Sequence, residues 1–300
     1  MYVVTGATGN TGSVVAKQLL AKGKKVRAIG RNAERLQSLV AQGAEAFVAN
    51  VADAAAISKA YAGAEGVYLM VPPDVANPDV LAYEERITDA LSTAVAQAGV
   101  KYAVALSSIG ADKPDKTGPV IGLHHLEEKL NRVSGLNVLH LRAGYFMENT
   151  LAQAGIIRSI GKAAGPLRGD LKLPLIATQD IGAAAADALL RLDFTGSATR
   201  ELLGERDLSM AEATAIIGKA IEKPDLEYLQ LPDEQLRPAL QQLGMSASMV
   251  DLLLEMSAAL NSGYMRALEK RSPQNTTPTS FETFVANEFV PRYRGQSRAA

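Results

Sequence analysis

Gly6, Gly9 and Gly12 stand three residues apart in Thr5-Gly-Ala-Thr-Gly-Asn-Thr-Gly12. Glycines at this spacing do one kind of chemistry: they bring backbone amides up against phosphate. The first permits a tight turn, the second lets backbone approach a pyrophosphate, and the third allows a helix to pack closely on a strand. Amides at the helix N-terminus then meet the anion with a favourable dipole. Together with Thr8, Asn10 and Thr11, the turn reads as a phosphate cradle. A lone glycine triplet also marks ordinary turns, so its weight comes from its place after an apolar run and before an amphipathic segment.

A second group of charges follows at Arg31 and Arg35. The end of the second strand in a dinucleotide site faces the adenosine ribose, where an acidic side chain would accept from the 2′-hydroxyl. Arg31 stands there instead, with Asn32 and Arg35 close behind, and a guanidinium suits a 2′-phosphate that an acid would repel. NADP(H) is therefore expected in preference to NAD(H). The alternative for both arginines is a solvated helix start. Val71 and Pro72 end the fourth strand and wall the expected groove. Ser107 and Ser108 end the fifth, where a hydroxyl either holds nicotinamide or a substrate oxygen or satisfies local backbone.

These residues need a frame. Six apolar runs, near 2–5, 25–29, 46–49, 66–71, 102–107 and 137–141, alternate with amphipathic segments, which is the pattern of repeated βαβ units and a parallel sheet. The runs are continuous more than alternating, as strands covered on both faces require. Gly23 and Gly43 end helices, while Asn32 and Asp53 cap them. After Leu141 the beat changes, and helices are expected near 148–160, 180–191, 209–221, 233–243 and 246–268. The fold class is thus α/β, a Rossmann-type doubly wound sheet with a small C-terminal substrate lobe. Residues 1–150 form the NADP(H)-binding domain, which 174–192 rejoin, and 151–300 the mostly helical lobe. Residues 294–300 read as a frayed tail.

Composition excludes several classes. The chain carries 31 basic and 32 acidic residues, a net charge of −1, so no basic footprint invites nucleic acid or an anionic membrane. It has no cysteine, which removes disulfides, thiolate metal sites and a cysteine nucleophile. The histidines are His124, His125 and His140, the last inside an apolar run, and no metal is expected. No stretch reaches the roughly 18 to 20 apolar residues that cross a bilayer. Met1 leads straight into a strand, leaving no room for a signal peptide, so a cytoplasmic protein acting on a small molecule is expected.

Five segments occur in order: Thr5 to Gly12, Val26-Arg-Ala-Ile-Gly-Arg-Asn32, Leu106-Ser-Ser108, Glu127-Glu-Lys129, and Leu141-Arg-Ala-Gly-Tyr-Phe-Met-Glu-Asn149. Together they resemble the NmrA-like branch of the atypical short-chain dehydrogenase/reductases, over most of the chain and most closely in residues 2–150. Pro174 to Gly182 is also similar. The resemblance implies NADP(H) binding and one of two functions: reduction of quinones or conjugated dyes, or cofactor sensing without catalysis.

Most short-chain dehydrogenases use a Tyr-x-x-x-Lys pair, whose lysine binds the nicotinamide ribose and lowers the tyrosine pKa. This chain has His125-Leu-Glu-Glu-Lys129. The resemblance implies Lys129 as the ribose ligand, the alternative being a surface helix lysine near Glu127 and Glu128, and places His125 at the tyrosine position, either donating a proton near neutral pH or lining the pocket. Loss of the tyrosine suits a conjugated hydride acceptor, which takes its proton from solvent or a weak donor. Tyr145, Phe146 and Asn149 leave the sixth strand at the carboxyl edge and are expected to face the crevice, with Tyr145 covering nicotinamide or a planar substrate. Helix faces near 80–97 and 119–134 are candidates for pairing two subunits.

Overall fold

The computed structural model describes residues 1–296. In chain order the elements are β1 (Tyr2–Val4), α1 (Asn10–Ala21), β2 (Val26–Gly30), α2 (Ala33–Val40), β3 (Glu45–Val48), α3 (Ala54–Tyr61), β4 (Gly66–Leu69), α4 (Val80–Gln97), β5 (Tyr102–Ser108), α5 (Val120–Asn131) and β6 (Asn137–Ala143). The second half adds β7 (Tyr145–Phe146), α6 (Gln153–Ile160), β8 (Ala163–Gly165), β9 (Leu173–Ile176), α7 (Thr178–Arg191), β10 (Ser197–Leu202), β11 (Asp207–Leu208), α8 (Met210–Ala220), β12 (Tyr228–Gln230), α9 (Asp233–Gln242) and α10 (Ala247–Asn261). Short helical turns between Phe281 and Tyr293 follow.

Seven strands form one parallel sheet in the order β10-β6-β5-β4-β1-β2-β3. Strand order reverses between β1 and β4, so the carboxyl edge opens a crevice there, the usual ligand position in such sheets. α1 packs against α7 on one face, while α3, α4 and α5 line the other. Both faces are covered, which explains the unbroken apolar character of the central strands. Local chemistry fixes the helix starts: Asn32 accepts from the amides of Glu34 and Arg35, and Asp53 from that of Ala56. Gly23 and Gly43 adopt φ of +70° and +97°, a left-handed turn that ends a helix without a Cβ clash.

After Leu141 the main sheet gains one more parallel strand. β10 runs beside β6, Ser197 opposite Val138 through Leu202 opposite Ala143. Its sequence, Ser-Ala-Thr-Arg-Glu-Leu, hides it, because an edge strand needs no apolar run. Its open side is closed by the later chain: Glu201 accepts from the amides of Leu268 and Glu269, and the Leu203 amide donates to the Asn275 carbonyl. The helix expected over 246–268 stops at Asn261, where Ser262 and a left-handed Gly263 turn the chain away. The helix expected from 148 opens as a 3-10 turn over Met147–Ala152. Of the expected tail, residues 297–300 lie outside the described residues.

The lobe roofs the crevice through α10. The Ser246 amide donates to the Val75 carbonyl at 2.9 Å, the Val80 amide to Ser248 Oγ at 3.1 Å, and the Gly118 amide to Glu255 Oε1 at 2.9 Å. One helix thereby spans the loops that follow β4 and β5. Its apolar side, with Met249 and Leu252, packs on Val80.

Candidate active site

The glycine turn is built for close approach. Gly6 holds φ +66°, and a Cβ there would lie 2.7 Å from the Met70 sulfur. A Cβ on Gly12 would sit 2.3 Å from the Gly6 carbonyl oxygen, so the helix can begin against the turn only with glycine at that position. Gly9 is the N-cap of α1 and supplies no side-chain cap. α2, α3, α4, α8 and α10 are capped by Asn32, Asp53, Asp79, Ser209 and Ser246. Among the described residues, no protein group accepts from the amides of Asn10, Thr11 or Gly12. Orphan donors at a helix start, with no acidic residue in the first turn, form a site for an anion. The turn therefore fits a dinucleotide pyrophosphate. Thr11 is less available than Thr8 and Asn10, since it is buried and its hydroxyl accepts from Tyr68 at 2.8 Å.

Arg31 on the loop beyond β2 and Arg35 in the first turn of α2 are exposed, and neither has a carboxylate partner among the described residues. Arg35 reaches back to the Thr8 carbonyl at 3.3 Å, which holds its guanidinium over the turn. Arg31 lies near enough to Tyr83 to act on its phenol, and Tyr83 donates to the Pro72 carbonyl at 2.9 Å. The loop after β4, with Val71 half-buried, thus forms the wall facing the two arginines.

The structure does not bring His125 and Lys129 to the crevice. α5 starts at the carboxyl edge and runs down the sheet, and Lys129 lies in its last turn. Its ammonium meets Glu85 Oε1 at 2.6 Å, Asp89 Oδ1 at 2.7 Å and Thr88 Oγ1 at 2.9 Å. His125 Nδ1 is 2.8 Å from the other Glu85 oxygen. Both side chains face α4. The Glu85 carboxyl is held below its ordinary range by the Lys129 hydrogen bond, helped by His125. Helix rotation of about 100° per residue decides which histidine points where, and sequence alone does not reveal that angle.

The neighbour, His124, faces the other way. Its Nδ1 lies 2.8 Å from the Ala111 carbonyl in the loop after β5, beside the carboxyl edge. Ser107 is not free either. It donates to Glu127 Oε1 at 2.5 Å, and Arg142 grips the same carboxylate through Nε at 3.0 Å and Nη2 at 2.6 Å. Ser108 donates to the Ile109 carbonyl. The hydroxyl expected to touch ligand thus serves a buried ion pair.

Tyr145 stands on β7, paired with β9 opposite Leu175, and packs on the lobe core. Burial pushes its phenol up to about 12, against a smaller lowering by Asn149, so it remains a neutral hydroxyl. Glu148, next to it, accepts from the Thr178 amide and hydroxyl and so caps α7. Burial raises this carboxyl. A cavity of about 770 Å³ runs from Thr8, Gly9 and Asn10 past Glu148 and Thr178 to Phe284, within the range of small-molecule sites. Among the described residues, no cluster of three or more acidic or histidine side chains is placed to hold a metal ion, and no helix is long and apolar enough to cross a membrane.

A seven-stranded parallel sheet with this turn, switch point and lobe defines a Rossmann-type dinucleotide-binding protein. The chain belongs to the NmrA-like family, whose pattern matches residues 2–285. It is 29% identical over 280 residues to an NAD(P)H azoreductase of Xenophilus azovorans, covering 92% of this chain and 93% of that one. It is 30% identical over 268 residues to quinone oxidoreductase 2 of Escherichia coli, covering 88% and 89%. The solved structure of the Escherichia coli NADPH-dependent quinone oxidoreductase with NADPH superposes with a TM-score of 0.79 at 27% identity, covering 96% of this chain and all of that one.

Proposed function

We propose that the chain is an NADPH-dependent reductase that passes hydride to a quinone-like or other extended conjugated acceptor. The observation that carries this reading is the uncapped start of α1 at the glycine turn, beside the guanidiniums of Arg31 and Arg35, neither of which has a carboxylate partner among the described residues. The full-length likeness to an azoreductase and a quinone oxidoreductase supports the acceptor class.

The amides of Asn10, Thr11 and Gly12 and the side chains of Thr8 and Asn10 hold the pyrophosphate. Arg31 and Arg35 take the 2′-phosphate, which favours NADPH over NADH. When bound, the nicotinamide supplies the hydride. The protein positions the reactants and excludes water. Val71 walls the cofactor, Tyr145 presents an aromatic face and a hydroxyl that stays protonated, and α10 closes the crevice above them. With Ser107, His125 and Lys129 engaged elsewhere, protonation of the product falls to Tyr145, to His124 or to water.

That engagement also favours a second reading, a cofactor sensor that binds NADP(H) and acts through a protein partner. The two readings separate when the purified protein is mixed with NADPH and a panel of quinones and azo dyes while nicotinamide absorbance is followed. Acceptor-dependent consumption supports the reductase. Tight NADPH binding without turnover on any acceptor supports the sensor.

A further inference from the structure

The Glu127 carboxylate is the meeting point of three elements, and nothing in the phosphate cradle needs it. Ser107 ends β5 and Arg142 lies near the end of β6, directly opposite each other in register. Glu127 projects from α5 onto both. All three side chains are withdrawn from water, Ser107 2% exposed and Glu127 5%, while the bidentate grip fixes the carboxylate plane. Around this pair the charges are arranged to keep Arg142 ionised: its guanidinium is raised chiefly by Glu127, with smaller contributions from Asp112 and Glu201. Asp112 belongs to the loop after β5, and Glu201 anchors the amides of Leu268 and Glu269. The ion pair thus lies in the field of one carboxylate from the loop after β5 and one from β10.

α5 is pinned on two sides. Glu127 binds it to the sheet, and His125 with Lys129 binds it to Glu85 and Asp89 of α4. One turn before Glu127, His124 meets the Ala111 carbonyl. Just beyond Arg142, the Ile109 amide donates to the Ala143 carbonyl at 3.0 Å, and the chain continues through Gly144 into Tyr145. A Cβ on Gly144 would lie 2.4 Å from the Pro174 carbonyl oxygen, so this exit from β6 has no slack. A displacement of Glu127 therefore bears on His124, one turn earlier on α5, and on Tyr145, just beyond Arg142 along the chain.

We propose that Glu127 is the positioning residue of the hydride-transfer end of the crevice, locking the ends of β5 and β6 and the head of α5 through Ser107 and Arg142. The proposal rests on the reductase reading above. A buried carboxylate that served stability alone would leave the rate constant of each correctly folded molecule unchanged. A positioning role changes that constant, because misplacement of about 1 Å costs on the order of a hundredfold in rate.

The test compares wild type with Glu127→Gln, which keeps the shape and one acceptor, and with Glu127→Gln/Arg142→Met, which removes both charges and leaves neither orphaned. NADPH affinity is measured first, then the single-turnover rate of hydride transfer to a quinone, with NADPH and with NADPH deuterated at the transferred position. Both are independent of how many molecules are folded. The proposal expects NADPH affinity within about twofold of wild type, a single-turnover constant lower by about tenfold or more in both variants, and an altered isotope effect. The double variant is expected to recover thermal stability relative to the single one without recovering rate. Unchanged rate constants and isotope effects in variants that bind NADPH overturn the positioning role and leave the reductase reading standing. A wild-type protein that binds NADPH but reduces no acceptor overturns both.

Discussion

Glu84 is a carboxyl in the wrong solvent, and replacing it with glutamine is expected to make the protein more stable in a pH-dependent way. It sits in the second turn of α4, 8% exposed, and its Oε2 has no hydrogen-bond partner among the described residues. That oxygen occupies the space opened by Gly122 of α5, where a Cβ would come within 2.4 Å of it. Burial raises the carboxyl from 4.5 to about 8, with no charged neighbour contributing. Below pH 4.5 the group is neutral in both folded and unfolded chains and costs nothing by ionisation. Between pH 4.5 and 8 the unfolded chain ionises while the folded one does not, so stability falls as pH rises. At about 1.4 kcal/mol per pH unit, the interval from 4.5 to 8 amounts to roughly 5 kcal/mol. Glu84→Gln lacks this titration. Denaturant unfolding of both proteins at several pH values should give similar stabilities near pH 4 and a variant ahead by several kcal/mol near pH 8. Other titrating groups are common to both proteins and cancel in the difference. A difference that does not change with pH would refute the reasoning.

Three further outcomes follow from the site. Arg31→Ala should weaken NADPH binding by about 2 kcal/mol, roughly thirtyfold, through loss of a charge-assisted phosphate contact, and leave NADH binding nearly unchanged in titrations of nicotinamide fluorescence. Gly12→Ala drives a Cβ into the Gly6 carbonyl at 2.3 Å, and calorimetry should show NADPH affinity lost even in molecules that remain folded by circular dichroism. Lys129→Ala should leave NADPH affinity within about twofold and cost about 1 kcal/mol of stability, the scale of a partly exposed ion pair; loss of cofactor binding would return Lys129 to the ribose.

Most of the first half of the fold is plain in the sequence because its central strands are covered on both faces. Tyr2 to Val4 and Tyr102 to Ser108 show apolar runs that no solvent-facing strand would need. β10 is covert for the opposite reason: Thr199 and Ser197 face outward at the sheet edge. The glycine turn is legible because positive φ at Gly6 and the close approach at Gly12 admit few other residues. The polar site is less so. Glu84, Glu127 and Glu128 look alike as helix positions, yet the first two are buried and the third is solvated and paired with Arg132. Which of His124 and His125 reaches the loop after β5 depends on how α5 is rotated against α4, a tertiary outcome. Ser107 sits at a strand end as expected, but its partner lies 20 residues away on another element.

The central claim, a phosphate cradle serving hydride transfer, is tested most directly by following nicotinamide absorbance as purified protein meets NADPH with and without a quinone, in wild type and Arg31→Ala. The account predicts acceptor-dependent consumption by wild type, with a markedly higher NADPH requirement in the variant and an NADH requirement nearly the same in the two proteins. Consumption that ignores Arg31, or none with any acceptor despite bound NADPH, would contradict it.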